Sequence, residues 1–305
     1  MYLHFLGTGS GAPAKRRNVS SVALNLATER GEIWLFDCGE ATQHTILRTP
    51  IRPGKIAKIF ITHLHGDHLF GLPGLLSSRS FQGGGDAPLE LYGPAGIRRF
   101  IETAFAVSDT HIAYPLHITE LADGGTAFAD DTFRVEYRSL NHRVQGYGFL
   151  ISEADRPGSL DTAALSALGI APGPQYGVLK KGGSLTLADG RSISGADFLS
   201  PPQPGRRLAL FGDNACTIDQ ADFCREADVL VHEATFGAGE EETAARYGHS
   251  TCTQAAELAR AAQVRRLILT HISARYSDNA EPLLAAARAV FPATELAEDL
   301  SEFPV

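Results

Sequence analysis

The chain has 305 residues and a formal net charge of −8, with 44% hydrophobic and 20% charged residues. This length and composition are typical of one large globular domain or two modest ones, and they exclude a disordered chain. The acidic total argues against a protein that binds nucleic acid indiscriminately, although residues 1–60 carry eight Lys and Arg against four Asp and Glu.

Several features bear on where the protein works. No apolar run approaches the roughly 20 residues of a membrane helix, so no membrane partner is expected. The N-terminus has no basic region ahead of its apolar stretch, unlike a secretory signal. The four cysteines are too few and too scattered for a disulfide framework. Together these features predict a cytoplasmic, reducing location.

Short apolar runs bounded by glycine or polar turns predict buried strands. In chain order these are residues 2–6, 22–26, 33–36, 56–61, 89–92, 133–137, 147–151, 208–211, 229–231 and 267–269. Helical patterns lie between them at residues 41–47, 97–106, 253–262 and 282–290, the third with Ser250 as its predicted N-cap. Because strands and helices alternate along the whole length, the sequence predicts a layered α/β fold.

Residues 152–205 differ in composition from the rest of the chain. Glycines and prolines interrupt any core pattern in residues 152–205, which is typical of a long insertion. We therefore expect a single domain over residues 1–305 with an inserted arm at about 152–205.

Residues 58–63 also resemble residues 266–271, since each has a basic residue leading an apolar strand that ends in Thr-His. This similarity predicts two related halves that each deliver a histidine to one site.

The chemistry is concentrated in the run Thr62-His63-Leu64-His65-Gly66-Asp67-His68. In extended backbone His63 and His65 point the same way, because side chains alternate with a period of two. Gly66 then permits a tight turn that swings Asp67 and His68 toward a second centre. Imidazole and carboxylate ligands together suit zinc or a similar divalent ion.

Further ligands are available after other predicted strands. His142, Asp213 and His271 each follow a strand terminus, where open α/β sheets collect ligand-binding groups. Each alone also fits a buried core histidine or a turn aspartate. Together with the histidine run, they indicate one metal centre built from distant parts of the chain.

The His-x-His-x-Asp-His run, with the later His, Asp and His, resembles the metallo-β-lactamase superfamily. Within it the chain resembles, nearly end to end, the short form of the ribonuclease Z family of tRNA 3′-end-processing endonucleases. The matching segments are residues 5–9, 13–18, 36–44, 71–76, 80–83, 172–174, 232–235, 249–251 and 269–276. The metal run marks the superfamily, whereas His-Glu-Ala-Thr at 232–235, His-Ser-Thr at 249–251 and the Gly-Pro arm are typical of the family.

The resemblance implies a four-layer αβ/βα sandwich with a protruding exosite arm. It also implies two Zn²⁺ per subunit, one held by His63, His65 and His142 and the other by Asp67, His68 and His271. Asp213 would bridge the two ions. One position departs from the family: Asn214 stands where threonine usually follows the bridging aspartate, so we expect altered hydrogen bonding behind an intact ligand.

The resemblance further implies the reaction. A zinc-dependent endoribonuclease, a nuclease that hydrolyses phosphodiesters, would remove the 3′ trailer of precursor tRNA after the discriminator nucleotide by attack of a water activated by two metals. The products would be a tRNA 3′-hydroxyl and a 5′-phosphorylated trailer. Asp67 would accept the proton of that water, and His249 with Glu233 would protonate the leaving 3′ oxygen. Asp37 would orient a metal-bound histidine from behind.

Several residues are expected to contact RNA. Lys15, Arg17 and Asn18 would hold phosphates near the RNA 3′ end, although a solvated basic loop fits them equally. Lys180 and Lys181 lie in the arm, which resembles the exosite that grips the tRNA elbow, and Phe81 would stack on a terminal base unless it is a core aromatic. The family suggests a homodimer in which one subunit's arm presents tRNA to the other's site.

Two other functions remain open from the sequence. One is a different hydrolase on the same fold that acts on small esters or phosphodiesters. The other is a non-catalytic RNA-binding module with a relic site. The arm and the seven intact ligands distinguish the tRNA nuclease from these two alternatives. Independently of these two functions, a surface ion pair also fits Glu233, and a helix-capping role also fits His249.

Overall fold

The computed structural model describes residues 1–82, 86–187 and 189–305, so Gly83 of the 80–83 family segment lies outside the described residues. Within them the chain forms sixteen strands: β1 (Tyr2–Gly7), β2 (Ser21–Leu26), β3 (Glu32–Phe36), β4 (Ile56–Phe60), β5 (Leu89–Pro94), β6 (Leu116–Leu121), β7 (Gly124–Ala129), β8 (Phe133–Ser139), β9 (Tyr147–Glu153), β10 (Ser184–Thr186), β11 (Ser192–Ser194), β12 (Arg207–Phe211), β13 (Val229–Glu233), β14 (Leu267–Thr270), β15 (Thr294–Leu296) and β16 (Glu302–Pro304). The same residues form nine α-helices: α1 (Thr42–Ile46), α2 (Gly66–Leu69), α3 (Leu72–Phe81), α4 (Ile97–Ser108), α5 (Thr162–Ala167), α6 (Pro174–Lys180), α7 (Glu241–Tyr247), α8 (Cys252–Ala261) and α9 (Glu281–Val290).

The chain divides into two compact units. The larger comprises Met1–Ala129, Arg134–Ile151 and Arg207–Val305, and the smaller comprises Asp130–Phe133 and Ser152–Arg206. The residues predicted as an inserted arm therefore lie in the smaller unit. It contains α5, α6, the β10–β11 hairpin and a small apolar core centred on Leu165, Ile170 and Leu179.

Two seven-stranded sheets dominate the larger unit. Their strand orders are β16-β1-β2-β3-β4-β5-β6 and β15-β14-β13-β12-β9-β8-β7. Strands β3 to β6 run parallel in the first sheet, and β12 to β15 run parallel in the second. The carboxyl ends of each parallel set therefore lie together at one edge of its sheet, where polar groups can converge.

In strand β3 successive side chains point to opposite faces of the sheet, so neighbouring residues belong to different layers of the fold. Trp34 and Phe36 belong to an aromatic layer between the sheets, where the Phe36 ring lies 5.8 Å from that of Phe149 on β9. Ile33 and Leu35 alternate with them and pack in the core beneath the helices. Removing the buried Phe149 ring would cost about 3–5 kcal/mol, as large-to-small core substitutions do.

Helices cover the outer face of each sheet. Apolar side chains of α1, α3 and α4, such as Ile46, Leu72 and Ile97, pack on the first sheet. Those of α8 and α9, such as Leu258 and Leu283, pack on the second. The helix–sheet–sheet–helix order confirms the predicted four-layer sandwich. Among the described helices, none combines the length and apolar character needed to cross a bilayer.

The predicted strands and helices all form, with ends within two residues of the expected ones. The N-cap of α8 was predicted wrongly. Thr251, not Ser250, accepts from the backbone N–H of Gln254, whose side chain accepts from the Thr251 N–H in return, forming a capping box. Ser250 instead donates its hydroxyl to the carbonyl of Asn214. Six short or exposed strands and five helices were not predicted from the sequence, namely β6, β7, β10, β11, β15, β16, α2, α3, α5, α6 and α7. In α3, proline, glycine and serine obscure the helical pattern.

Candidate metal centre

Polar side chains converge where the parallel strands of both sheets end. Asp37 follows β3, Asp213 follows β12, Glu233 ends β13 and His271 follows β14. Two backbone hydrogen bonds join the sheets beside them, from the Tyr147 N–H to the Thr62 carbonyl and from the Ile272 N–H to the Thr8 carbonyl. The two similar Thr-His segments lie in different sheets, on β4 and β14, and each delivers its histidine to this edge as predicted.

The histidine run leaves β4 and turns into the short helix α2. His65 has an extended backbone, and Gly66 begins the helix that carries Asp67 and His68. Gly66 does not adopt the left-handed conformation that only glycine tolerates well. A Cβ at this position would lie 2.3 Å from the ring of Phe70, an exposed side chain that would have to move to make room for it.

The first cluster consists of His63, His65, His142 and Asp213, whose ligand atoms all lie within 4.8 Å of one another. His63 Nε2 and His142 Nε2 lie 3.0 and 3.3 Å from His65 Nδ1. Asp213 Oδ2 lies 3.6 Å from His63 Nε2. The structure thus brings His142, which lies 77 residues from His65 in sequence, to the run as expected.

The second cluster consists of Asp67, His68, Asp213 and His271. His68 Nε2 lies 3.3 Å from His271 Nε2 and 3.4 Å from Asp213 Oδ1. Asp67 Oδ2 lies 3.4 Å from His271 Nε2. Asp213 is shared, with Oδ2 facing the first cluster and Oδ1 facing the second, which is the arrangement of a bridging carboxylate.

The histidine nitrogens and aspartate oxygens of the two clusters are suitable ligands for two divalent ions. Zinc binds histidine nitrogen at about 2.0–2.1 Å, so two nitrogens on one tetrahedral ion stand about 3.3 Å apart. The nitrogen–nitrogen separations of 3.0 and 3.3 Å in the first cluster and 3.3 Å in the second agree with this value. Neutral imidazoles that face one another through their lone pairs repel, whereas a shared cation makes the same approach favourable.

In His68, His142 and His271 the ring nitrogen that points away from the clusters has a hydrogen-bond partner. Asp37 accepts from His68 Nδ1 at 2.7 Å and is itself held by the backbone N–H and hydroxyl of Thr62 at 2.7 and 2.8 Å. His142 Nδ1 lies 2.6 Å from the Gly248 carbonyl, and His271 Nδ1 lies 2.9 Å from the Thr235 hydroxyl. Each ring therefore keeps Nε2 toward its cluster. Sequence reasoning found Asp37 but missed Thr235, although it ends the quoted His-Glu-Ala-Thr segment.

Two residues of the site have a strained backbone, and several of its titratable side chains have shifted pKa values. Asp37 and His271 have φ of +58° and +56°, which non-glycine residues rarely adopt and which cluster at functional sites. Burial, with the other histidines, lowers the pKa of His63 well below its ordinary value. Burial opposes a charge on His68 too, but Asp213 and Asp37 outweigh it and raise the pKa of that ring. The site therefore concentrates negative charge on Asp213, whose pKa falls below its ordinary value despite burial because three histidines surround it.

Glu233 and His249 form a pair beside the clusters. Glu233 is 1% exposed, so it is not a surface ion-pair partner. Its carboxylate accepts from His249 Nδ1 at 2.9 Å, from the backbone N–H groups of Asn214 and Thr235 at 2.9 and 3.2 Å, and from the Thr235 hydroxyl. Burial would lower the pKa of His249, but Glu233 outweighs it and raises that pKa to about 9. His249 is thus an imidazolium at neutral pH whose Nε2 has no partner in the described part of the chain.

The residues predicted to contact RNA do not share one environment. Lys15 is exposed, and Asn18 lines the same cleft of about 680 Å³ while its side-chain amide donates to the Glu40 carbonyl. Phe81 is 83% exposed and is not a core aromatic. Lys180 and Lys181 are exposed in the smaller unit.

Arg17 differs from the other residues of this loop. It is only 4% exposed, and its guanidinium donates to the Thr8 hydroxyl at 2.7 Å and to the Ala297 carbonyl at 2.6 Å. Asp299 holds the same loop by accepting from the Asn18 N–H at 2.6 Å. The Nη1 donor of the buried Arg17 is thus bonded to the protein itself. This differs from the expected grip on phosphate and indicates that Arg17 anchors the loop that presents Lys15.

Ribonuclease Z proteins match the whole length of this chain. The ribonuclease Z of Bacillus licheniformis is 56% identical over 100% of this chain and 99% of that relative, and that of Geobacillus kaustophilus is 56% identical with the same coverage. The crystal structure of human tRNase Z, short form, has a TM-score of 0.73 and 31% identity, covering 100% of this chain and 99% of that one. The metallo-β-lactamase fold protein YhfI of Bacillus subtilis, at 18% identity and a TM-score of 0.68, shares the fold. The family model for the anti-Pycsar protein Apyc1 matches residues 1–103.

Proposed function

This chain belongs to the ribonuclease Z family and is a tRNA 3′-processing endoribonuclease, and we propose that it cuts precursor tRNA after the discriminator nucleotide. The products would be a 3′-hydroxyl on the tRNA and a 5′-phosphate on the trailer. The observation that carries the proposal is Asp213, whose two carboxylate oxygens face two adjacent clusters of ligands. One phosphodiester can then lie against both clusters at once.

A metal is the cofactor of this fold and of these clusters, and we assign it as two Zn²⁺ per subunit. His63, His65 and His142 would hold one ion, and Asp67, His68 and His271 the other, with Asp213 shared between them. When bound, such a pair lowers the pKa of water and stabilises negative charge on the attacking and leaving oxygens.

The chain's own groups would move the protons. Asp67 uses Oδ2 to accept from the Gly11 N–H at 2.8 Å, and its Oδ1 has no hydrogen-bond partner among the described residues, so we assign Oδ1 as the proton acceptor for the attacking water. His249 Nε2 is the proton donor to the leaving 3′ oxygen. Glu233 is too buried and too fully bonded to reach substrate, so it serves as a positioning residue that keeps His249 charged.

Substrate binding would involve groups outside the clusters. Lys15 and Asn18 would hold backbone phosphates, and exposed Phe81 would stack on a base. The smaller unit, with Lys180 and Lys181, would grip the body of the tRNA. We also propose a homodimer in which the smaller unit of one subunit serves the metal centre of the other. A cytoplasmic location is supported by the four cysteines, all of which are unpaired.

Cleavage of a tRNA that carries a 3′ trailer, by zinc-loaded enzyme, tests the proposal. We expect His65→Ala to abolish cleavage while tRNA binding, measured by gel shift, stays within about a factor of three, because His65 faces the ion rather than the RNA. A well-folded, metal-loaded enzyme that leaves the trailer intact would refute the assignment.

A hydrolase of small phosphodiesters is the main alternative, and deletion of residues 152–205 separates the two. We expect the deletion to weaken tRNA cleavage selectively while turnover of a small chromogenic phosphodiester continues. If the deleted enzyme cuts the tRNA as fast as the intact chain, the smaller unit has no role in substrate binding.

A further inference from the structure

Asn214 has a fully buried side chain directly beyond the shared aspartate, and no step above uses it. Its amide forms a pair with that of Gln220, donating Nδ2 to Oε1 at 2.6 Å and accepting at Oδ1 from Nε2 at 2.9 Å. Oδ1 also accepts from the Asn141 backbone N–H at 3.3 Å, and Nδ2 lies 3.3 Å from His232 Nε2. All four hydrogen-bonding positions of the amide are therefore used.

The neighbours permit only one orientation of this amide. The Asn141 N–H can only donate, so the group facing it must be the oxygen Oδ1. His232 is buried, which lowers its pKa and keeps it neutral, and its Nδ1 donates to the Glu233 carbonyl at 2.8 Å. His232 Nε2 must then accept, and the group facing it must be Nδ2. Flipping the amide would place donor against donor and acceptor against acceptor.

The backbone around Asn214 holds the other parts of the site. Its N–H donates to Glu233 Oε1 at 2.9 Å, and its carbonyl accepts from the Ser250 hydroxyl, next to His249. The following residue, Ala215, donates its N–H to the Asn141 carbonyl at 2.6 Å. Asn141 therefore has both backbone groups bonded to residues 214–215.

Among the ligands of the first cluster, His142 has the most exposed neighbours along the chain. His63 is buried just beyond β4, and Asp213 is buried just beyond β12. His142 instead lies in a loop whose residues 141 and 143–145 are exposed. The bonds from Asn214 and Ala215 grip the residue immediately before it.

We propose that Asn214 and Gln220 form a buried amide clasp that positions His142, so that the ion of the first cluster is retained only while this pair is intact. The inference rests on the two-ion function proposed above. Threonine at position 214 could not replace the clasp, because a single hydroxyl cannot match both groups of the Gln220 amide and also reach Asn141. The pair therefore gives asparagine at position 214 a structural role that threonine could not fill.

Zinc binding by the full-length dialysed protein tests the clasp. Wild type, Asn214→Ala, Asn214→Asp and Gln220→Ala are titrated with Zn²⁺ against a chelator of known affinity, and bound zinc per subunit is measured. We expect one of the two ions to bind about 10- to 100-fold more weakly in each variant, as when other supporting partners of ligands are lost, while the second ion is unaffected. Asn214→Asp keeps the shape of the side chain but exchanges the Nδ2 donor for an acidic oxygen beside Asp213. Gln220→Ala breaks the same pair from the other side without adding an acid, so it guards against an effect of charge or misfolding at position 214.

Two further variants separate positioning from general destabilisation. Leu283→Ala lies in the core beneath the second sheet and should lower the melting temperature without changing either zinc affinity. In a His142→Ala background, which already weakens the same ion, Asn214→Ala should cause no further loss.

The outcomes are distinct. If Asn214→Asp and Gln220→Ala bind both ions as tightly as wild type, or weaken both ions equally, the clasp is wrong and the two-ion function stands. If wild type itself binds fewer than two ions, the two-ion assignment fails and the clasp fails with it.

Discussion

Replacing Glu233 by glutamine should shift the alkaline limb of the pH–rate profile. The buried carboxylate accepts from His249 Nδ1 at 2.9 Å and, against the effect of burial, raises the pKa of His249 to about 9. Since the protonated ring is the form that donates to the leaving oxygen, activity is retained at neutral pH and lost as the pH rises through about 9. Without the carboxylate, the pKa of His249 falls toward its ordinary value of about 6.5.

The size of the effect follows from the two pKa values. At about pH 8, roughly nine-tenths of wild-type His249 is protonated, but only about 3% of the ring is protonated at the ordinary pKa, which is roughly a 30-fold loss of the donating form. Burial of the ring lowers its pKa further and adds to this loss. The loss should be far smaller at about pH 6, where both forms are largely protonated. Single-turnover cleavage of a trailer-bearing tRNA across this range isolates the chemical step.

Two controls make this test specific. Glu257→Gln removes an exposed carboxylate from α8 and should leave the alkaline limb where it is. His249→Ala should abolish the alkaline limb of the pH–rate profile. Because Glu233 acts through His249, adding Glu233→Gln to the His249→Ala variant should reduce the cleavage rate little further. A Glu233→Gln enzyme that keeps the wild-type limb would show that this carboxylate does not set the charge of His249.

Four other substitutions have defined outcomes. Asp37→Asn removes the carboxylate behind His68 and should weaken zinc binding about 10- to 100-fold in a chelator titration; unchanged affinity would show that Asp37 is not needed there. Lys15→Met should weaken tRNA binding and reduce its salt dependence by about one phosphate contact while the melting temperature holds, whereas Arg17→Met should destabilise the fold by about 1–3 kcal/mol in urea, because buried acceptors lose their donor. Equal stability of these two variants would contradict the anchoring role of Arg17. Thr251→Ala removes the cap of α8 and should cost about 1 kcal/mol in the same assay with zinc content unchanged; no loss of stability would mean that the capping box contributes nothing.

The sequence by itself identified the chemistry of the site. Four ligands within the six residues 63–68 are legible without coordinates, because the spacing of residues along a strand and a turn determines which side chains share a direction. Short apolar runs also predicted ten of the sixteen strands in the described residues, since a strand buried on both faces must be apolar throughout. The family segments singled out Glu233 and His249 as candidates for proton transfer, which no local pattern reveals.

Only the tertiary structure decided which residues act directly and which hold others in place. Lys15 and Arg17 are both basic residues of one loop, yet one is exposed and the other is buried against Thr8 and Ala297. Glu233 and Asp213 are both buried acids at strand ends, yet one saturates its oxygens on neighbouring donors and the other directs them at two clusters. The physical reason is that burial and hydrogen-bond saturation depend on partners distant in sequence. The bond between Asn141 and Asn214 spans 73 residues, and no pattern along the chain records it.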